Sequence, residues 1–134
     1  PERSYSSREP RNMNIPKTMQ ALVVKGEGFS GTSEGPSITA LEPWLELREI
    51  DVPQPAQGQV LVKVGLGGVN PSDLHFIKGE YGRPRVKGVP AGFEGMGTVV
   101  ASGPGAERLI GKRAGFVAGD SGAWAEYALA DVSS

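Results

Sequence analysis

Side chains that could take part in catalysis are concentrated between residues 68 and 95 of this 134-residue chain. The run GVNPSDLH (68–75) is followed by GEY (79–81) and then by PAGFEG (90–95). Polar residues therefore stand at the end of an apolar run and just before glycine-rich chain, as they do in the wall of a pocket. Within this segment, the Tyr81 hydroxyl could donate a proton or a hydrogen bond to an oxygen that develops negative charge.

Each of these residues also has a structural explanation, and from the pattern alone that explanation is the stronger one. Asn70 suits the N-cap of a short helix that begins at Pro71, and Asp73 favours the positive end of that helix. Tyr81 would then be an aromatic residue at the edge of the core, and His75 a partly exposed histidine on the helix. The pattern by itself predicts a domain with a polar corner and leaves the chemistry open.

No metal-binding or nucleotide-binding motif accompanies the segment. The chain has no cysteine and one histidine, and its carboxylates lack the spacing that places ligands on one face of a helix. GFEGMG (92–97) has the glycines of a dinucleotide fingerprint, but they come before the predicted strand Thr98–Ala101 rather than between a strand and a helix. We therefore expect tight turns and closely packed backbone at these glycines, and no metal.

The composition favours a domain with many turns and argues against two classes of partner. The net charge is −1 and the pI about 5.9, so we expect neither a nucleic acid nor a membrane surface as partner. No apolar run approaches the ~20 residues of a membrane-spanning helix. The 20 glycines and 11 prolines separate short apolar runs. The lack of cysteine fits a reducing compartment, and we expect the cytoplasm, with the mitochondrion as the alternative.

The apolar pattern predicts short strands, one helix and a flexible arm. Residues 1–18 contain too few apolar side chains to offset the entropy of ordering, so we expect a flexible N-terminal arm there. The helix is predicted to end at Lys78 and Gly79 after about two turns. Trp124 falls in the last predicted strand, where aromatic residues are common. Strands are predicted at 20–25, 45–52, 59–64, 98–101, 113–117 and 123–129, a spacing typical of a barrel or a sandwich.

Six blocks, at the expected spacing, carry a resemblance to a known family: MQALVVK, VPQPAQGQVLVKV, GVNPSDLHFIKGEYG, VPAGFEGMGTVVASGPG, GKRAGFVAG and GAWAEYALAD. There the chain resembles the N-terminal, GroES-like catalytic domain of the medium-chain dehydrogenase/reductase superfamily. The resemblance implies a mainly β fold, a partly open GroES-like β-barrel with one or two short helices. It also implies that residues 19–134 are an incomplete catalytic domain of a two-domain enzyme, because the Rossmann domain of such enzymes is not in this sequence.

Two departures from the family pattern concern zinc. Asn70 stands where zinc alcohol dehydrogenases have a zinc-binding cysteine, and Phe93 stands where they have a zinc-binding histidine. Neither an amide nor a phenyl ring replaces those ligands adequately. The cysteine-rich lobe that holds a structural zinc is missing as well. The resemblance therefore implies a zinc-independent member, and it gives Glu94 a structural role, salt-bridged inside the protein.

The zinc-independent members that the chain is similar to are the quinone oxidoreductases and the enoyl-thioester reductases. Both transfer a hydride from NADPH to an electron-poor carbon conjugated to a carbonyl. The resemblance makes Tyr81 the catalytic proton donor or oxyanion partner. It implies that Asn70 and Asp73 bind the cofactor, NADPH, and that His75 and Trp124 lie on the substrate side.

Three functions stay open at this point. The first is reduction of a small-molecule quinone or α,β-unsaturated carbonyl, in an enzyme that we expect to be a homodimer. The second is reduction of an enoyl thioester on an acyl carrier. The third is a non-catalytic GroES-like module that serves binding or assembly. Since the cofactor is expected to bind mainly to a Rossmann domain, we expect the 134 residues alone to be inactive.

Overall fold

The structure of the chain, a computed structural model, describes residues 14–119 and 121–132. They form a mainly β fold with one α-helix, which confirms the predicted fold class. Of the predicted N-terminal arm, residues 1–13 lie outside the described residues, and residue 18 already belongs to the first strand. The elements are β1 (Thr18–Val24), β2 (Leu45–Asp51), β3 (Gln59–Gly67), α1 (Pro71–Ile77), β4 (Glu94–Ser102), a 3₁₀ turn (Glu107–Leu109), β5 (Arg113–Val117) and β6 (Tyr127–Asp131).

Two antiparallel sheets are built from these strands. β1 pairs with β2 along its whole length, beginning with Thr18 opposite Asp51. The second sheet has the order β5-β4-β3-β6, and its pairs are all antiparallel. A bridge between Ala21 and Ala125 joins the two sheets, but no pairing among the described strands closes them into a barrel. The fold is therefore the partly open arrangement that the resemblance implied.

The helix follows the end of β3 and packs on the core beside it. Asn70 has extended backbone angles (φ −113°, ψ 159°) and precedes Pro71, the first helical residue, as predicted. Phe76 and Ile77 are buried and pack in one apolar cluster with residues of β1 and β2. Gly79 adopts a φ of +81°, which favours glycine and ends the helix. No helix of the described residues is long and apolar enough to cross a membrane.

β4 begins at Glu94 and not at Thr98 as predicted. Its glycines belong to the strand because the backbone of β3 passes very close to them. A Cβ atom on Gly97 would collide with the Lys63 carbonyl oxygen and would lie 2.8 Å from a methyl carbon of Val62. The expectation of closely packed backbone is confirmed here. The expectation that the glycines precede the strand is confirmed for Gly92 and is wrong for Gly95 and Gly97.

β6 begins at Tyr127, so the predicted strand 123–129 is wrong before that residue. The Glu126 carbonyl still accepts from the Val64 N–H of β3 at 2.9 Å, but the N–H groups of Trp124 and Glu126 form backbone hydrogen bonds in two other directions. The Trp124 N–H donates to the Ala91 carbonyl at 2.8 Å, and the Glu126 N–H donates to the Gln20 carbonyl of β1 at 3.2 Å. Trp124 therefore lies in a segment that crosses between the two sheets.

The close approach of β3 and β4 at Gly97 leads to a prediction for stability. Gly97→Ala should lower the free energy of unfolding by about 1–3 kcal/mol, because the new methyl group overlaps backbone atoms that cannot move aside easily. Gly115→Ala in β5 is the matched control, since a Cβ there has no neighbour nearer than 3.9 Å. It should change stability by no more than about 0.5 kcal/mol. Urea unfolding of both variants measures the difference, and equal midpoints would contradict the packing argument.

Candidate functional site

The Asp73 carboxylate joins the two ends of the polar segment. Asp73 is fully buried, at 0 % exposure, and each carboxylate oxygen accepts a hydrogen bond from a backbone N–H. Oδ2 accepts from Asn70 at 2.7 Å, and Oδ1 accepts from Phe93 at 2.9 Å. The carboxylate thereby fixes the start of α1 against the residues just before β4. The predicted contact of Asp73 with a cofactor stays a prediction, because what the structure shows is a positioning role.

The Asn70 side chain extends toward the start of β4. Its Nδ2 donates to Glu94 Oε2 at 2.7 Å. Glu94 is exposed, so the expectation of a carboxylate salt-bridged inside the protein is wrong. The reason is that Glu94 is the first residue of β4 and lies at the end of the strand, where the side chain reaches solvent.

Three aromatic rings form a stack that runs from the core to the surface. The ring centroids of Phe76 and Phe93 are 5.2 Å apart, and those of Phe93 and Tyr81 are 5.3 Å apart. Both pairs are tilted, the arrangement that the charge distribution of aromatic rings favours. Phe76 is buried and Tyr81 is 41 % exposed. Because Asp73 holds the backbone of the middle ring, the position of Tyr81 depends indirectly on that carboxylate.

Trp124 contacts the same corner from the other side. Its Nε1 donates to the Gly68 carbonyl at 2.8 Å, and its ring lies against Gly67 and Gly92. A Cβ atom on Gly92 would overlap the indole, so this packing requires a glycine there. Trp124 also lines an apolar groove of about 520 Å³, together with Leu22, Leu47, Val69 and Leu74. Its substrate-binding role stays a prediction.

His75 lies at the other end of the helix from Asn70. Its Nδ1 is 3.9 Å from Oε1 of Glu80, and its side chain is 34 % exposed. The structure therefore brings Asn70, Tyr81 and Trp124 to one corner, whereas His75 is connected to it through the chain that leads from Glu80 to Tyr81. The predicted contact of His75 with substrate stays a prediction.

Glu80 holds the loop that connects β1 to β2. Its carboxylate is nearly buried and accepts hydrogen bonds from the Thr32 hydroxyl at 2.6 Å and from the Glu34 and Gly35 backbone N–H groups, each at 2.9 Å. The bonds from Thr32 and Glu34 are the main reason that the pKa of Glu80 falls from 4.5 to about 2. The carboxylate therefore stays ionised far into the acid range.

Two buried cations complete the attachment of this loop. Lys78 donates to the Gly35 carbonyl at 2.7 Å, and it stands directly at the end of α1. Arg85 donates to the Gly28 carbonyl at 2.9 Å and to the Ile77 carbonyl, the last of α1, at 3.4 Å. Positive charge at this end of a helix is favourable, since the unpaired carbonyls there carry partial negative charge. The loop is thus held by charged side chains from both sides of Tyr81 in sequence.

The sequence analysis missed Glu80 and Arg85 as positioning residues, and it gave Lys78 only the end of the helix. Most of their partners are backbone groups of the loop 26–37, so no local pattern reveals the contacts. One signal was available. Several charged residues stand in a segment of glycine and proline, 78–90, that follows a buried helix, and such residues often satisfy loop backbone.

The site residues do not fit a zinc ion. Asn70 offers an amide that is already bonded to Glu94, and Phe93 has no donor atom. Within residues 14–119 and 121–132, no group of three or more His, Cys, Asp or Glu side chains could hold a metal. We therefore derive no chemical step through zinc.

Substitution of Asp73 tests whether its carboxylate positions the corner. Asp73→Asn replaces one acceptor oxygen by an NH₂ group, which faces a backbone N–H and leaves it without a partner. The free energy of unfolding should fall by about 1–3 kcal/mol. Asp51→Asn, on the exposed end of β2, should change it by no more than about 0.5 kcal/mol. Thermal or urea unfolding compares the two, and a stable Asp73→Asn protein would remove the positioning role.

The lowered pKa of Glu80 predicts a dependence of stability on pH. Because the folded-state pKa lies below the value of 4.5 for a free side chain, the contribution of Glu80 is complete above about pH 4.5. It should be lost as the pH falls toward 2. Urea midpoints of the wild type and of Glu80→Gln should differ at pH 6 and converge toward pH 2. Glu46→Gln, an exposed carboxylate of β2, is the control and should follow the wild type throughout.

Comparison with known proteins places the chain in a family. The family profile described as alcohol dehydrogenase GroES-like domain matches residues 56–134. Alcohol dehydrogenase 2 of Caenorhabditis elegans is 37 % identical over 104 residues, which are 77 % of this chain and 26 % of that protein. Prostaglandin reductase-3 of Mus musculus is 34 % identical over 121 residues, which are 89 % of this chain and 29 % of that protein.

A solved structure gives the same result. A protein of Mesorhizobium loti, provisionally called an NADPH:quinone reductase, is 54 % identical to this chain and superposes with a TM-score of 0.84. The match covers 89 % of this chain and 36 % of that one. The chain thus spans between 26 % and 36 % of the length of these three relatives. It belongs to the alcohol dehydrogenase GroES-like domain family, within the medium-chain dehydrogenase/reductase superfamily that its motifs indicated.

Proposed function

We propose that this chain is the catalytic-domain portion of a zinc-independent, NADPH-dependent oxidoreductase. The reaction is hydride transfer to a carbon conjugated to a carbonyl, in a quinone or an α,β-unsaturated ketone or aldehyde. The proposal is supported by the names of two relatives, a provisional NADPH:quinone reductase and prostaglandin reductase-3. It concerns the whole protein, because the chain covers only part of each relative.

The observation that carries the proposal is the stack of Tyr81 on Phe93. The ring is held at 5.3 Å from its neighbour, and yet the residue is 41 % exposed. A phenol that is both fixed and accessible can meet a substrate carbonyl in a defined orientation. Tyr81 would donate a hydrogen bond to the carbonyl oxygen as that oxygen gains negative charge, and this stabilises the transition state more than the ground state.

Asn70 is the residue that we assign to the cofactor. Its side-chain amide is of the type that pairs with a carboxamide such as that of nicotinamide, and the bond to Glu94 keeps the amide in one orientation. When bound, NADPH would supply the hydride, and the resemblance puts most of its contacts on a Rossmann domain outside this chain. Asp73 contributes to this step by holding the backbone of Asn70.

Substitution of Tyr81 in the full-length enzyme tests its role. Tyr81→Phe keeps the ring stack and removes the hydroxyl, so kcat with a quinone or an enone should fall about 10²–10³-fold. The KM for NADPH should stay within about twofold, since the hydroxyl is not assigned to the cofactor. Tyr127→Phe, in the core of β6, is the control and should leave both constants near the wild type.

The outcome also separates the other two functions. Unchanged turnover in Tyr81→Phe would sink the assigned role. Faster reduction of a long-chain enoyl thioester than of any small quinone or enone would favour the acyl-carrier reductase, which the motif GEYG (79–82) resembles. If the full-length protein oxidises no NADPH with any of these substrates, the non-catalytic binding module is the function that remains.

A further inference from the structure

Arg83 is an exposed residue whose guanidinium lies on the aromatic stack. Its guanidinium carbon is 5.5 Å from the ring centroid of Phe93 and 5.8 Å from that of Phe76. A guanidinium over aromatic faces is attracted by them, and this restricts its orientation. Its one hydrogen bond to a described residue is a long one, from Nη2 to the Gly119 carbonyl at 3.4 Å. A guanidinium has five N–H donors, so this arrangement holds the group while using little of its capacity.

The same residue borders a small apolar cavity. The cavity measures about 210 Å³, and Arg83 is the one charged residue among the described residues that line it. A group the size of a water molecule takes up about 30 Å³, so the cavity has room for roughly seven non-hydrogen atoms of a ligand. Apolar walls favour an apolar ligand and the cation favours an anionic end. The walls include Phe76, Phe93, Val24, Val89 and Pro90.

We propose that this cavity binds a short aliphatic chain that ends in a carboxylate, with the carboxylate on Arg83. The planar guanidinium matches a carboxylate with two parallel hydrogen bonds. A monoanion is the better match than a phosphate dianion, because one guanidinium compensates one negative charge and leaves the second without a partner.

The position of the cavity gives it a role in the proposed reaction, and this part rests on the proposed function. Phe93 contacts both Tyr81 and Arg83, at 5.3 Å between rings and 5.5 Å from ring to guanidinium. A substrate whose carbonyl meets Tyr81 can therefore place a carboxylate-bearing arm at Arg83. Arg83 is then a specificity-determining residue that selects enones with a terminal carboxylate over neutral ones.

A binding experiment without NADPH tests the cavity itself. Hexanoate and its neutral analogue hexanamide are titrated calorimetrically into the full-length protein, the Arg83→Gln variant and the Arg108→Gln control. Arg108 is an exposed arginine on the 3₁₀ turn, and its one side-chain hydrogen bond within the described part of the chain goes to the Gly105 carbonyl of its own loop. The wild type and the control should bind hexanoate at least tenfold more tightly than hexanamide. Arg83→Gln should remove that difference, and Arg83→Lys should restore part of it.

A kinetic experiment tests the selection of substrate. The pair is a vinyl ketone whose alkyl arm ends in a carboxylate and the methyl ester of the same compound. Arg83→Gln should lower kcat/KM for the acid about 10–100-fold and change that for the ester by less than about twofold, because only the acid presents a charge to the guanidinium.

The two experiments separate the failure of this inference from the failure of the proposed function. Equal binding of hexanoate and hexanamide to the wild type, or hexanoate binding that survives in Arg83→Gln, would overturn the site. Reduction of acid and ester at rates that do not depend on Arg83 would overturn the selection while the reductase function stands. Arg83-dependent binding of hexanoate without any reduction would support the site and leave the reductase function contradicted.

Discussion

The corner on which the candidate site is built depends on one buried carboxylate. Asp73 has no exposed surface, and its two oxygens are satisfied by backbone N–H groups from two distant parts of the chain. A buried charge is tolerated only when such partners are present. The requirement works in both directions, because the same two bonds determine where Asn70 and Phe93 lie. Stability and site geometry therefore rest on the same atoms.

The opposite end of the helix is organised by charge as well, but its partners belong to a loop. Glu80 accepts hydrogen bonds from N–H groups of that loop, and Lys78 and Arg85 donate hydrogen bonds to carbonyls of the same loop. Phe29 and Leu41 of the loop are exposed, so these bonds hold the loop together with the packing of Ile38 and Trp44 on the core. Tyr81 lies between Glu80 and Arg85 in sequence, so the hydrogen bonds of these residues to the loop fix the chain on both sides of it.

The sequence was informative where a local rule applies and failed where distant backbone decides. The cap at Asn70 and the proline after it fixed the helix start, and the short apolar run between glycine turns predicted the bounds of β5. The predicted start of β4 was wrong because glycine is unfavourable in strands on average. Here the close approach of β3 requires glycine within the strand. The predicted start of β6 was wrong because the backbone hydrogen bonds of Trp124 go to Ala91 and to β1. The periodicity of apolar residues does not reveal such pairing. The site residues were named through family motifs, and their contacts came only from the structure.

The packing of Trp124 between Gly67, Gly68 and Gly92 has an optical consequence. An indole whose N–H is bonded to a carbonyl and whose ring faces backbone is shielded from water on those sides. Its fluorescence therefore reports on the gap between the end of β3 and the residues before β4. The chain has one other tryptophan, Trp44, which directly precedes β2 and lies near Lys78. Replacing Trp44 by phenylalanine would leave a native probe at the candidate site, sensitive to any ligand that changes this spacing.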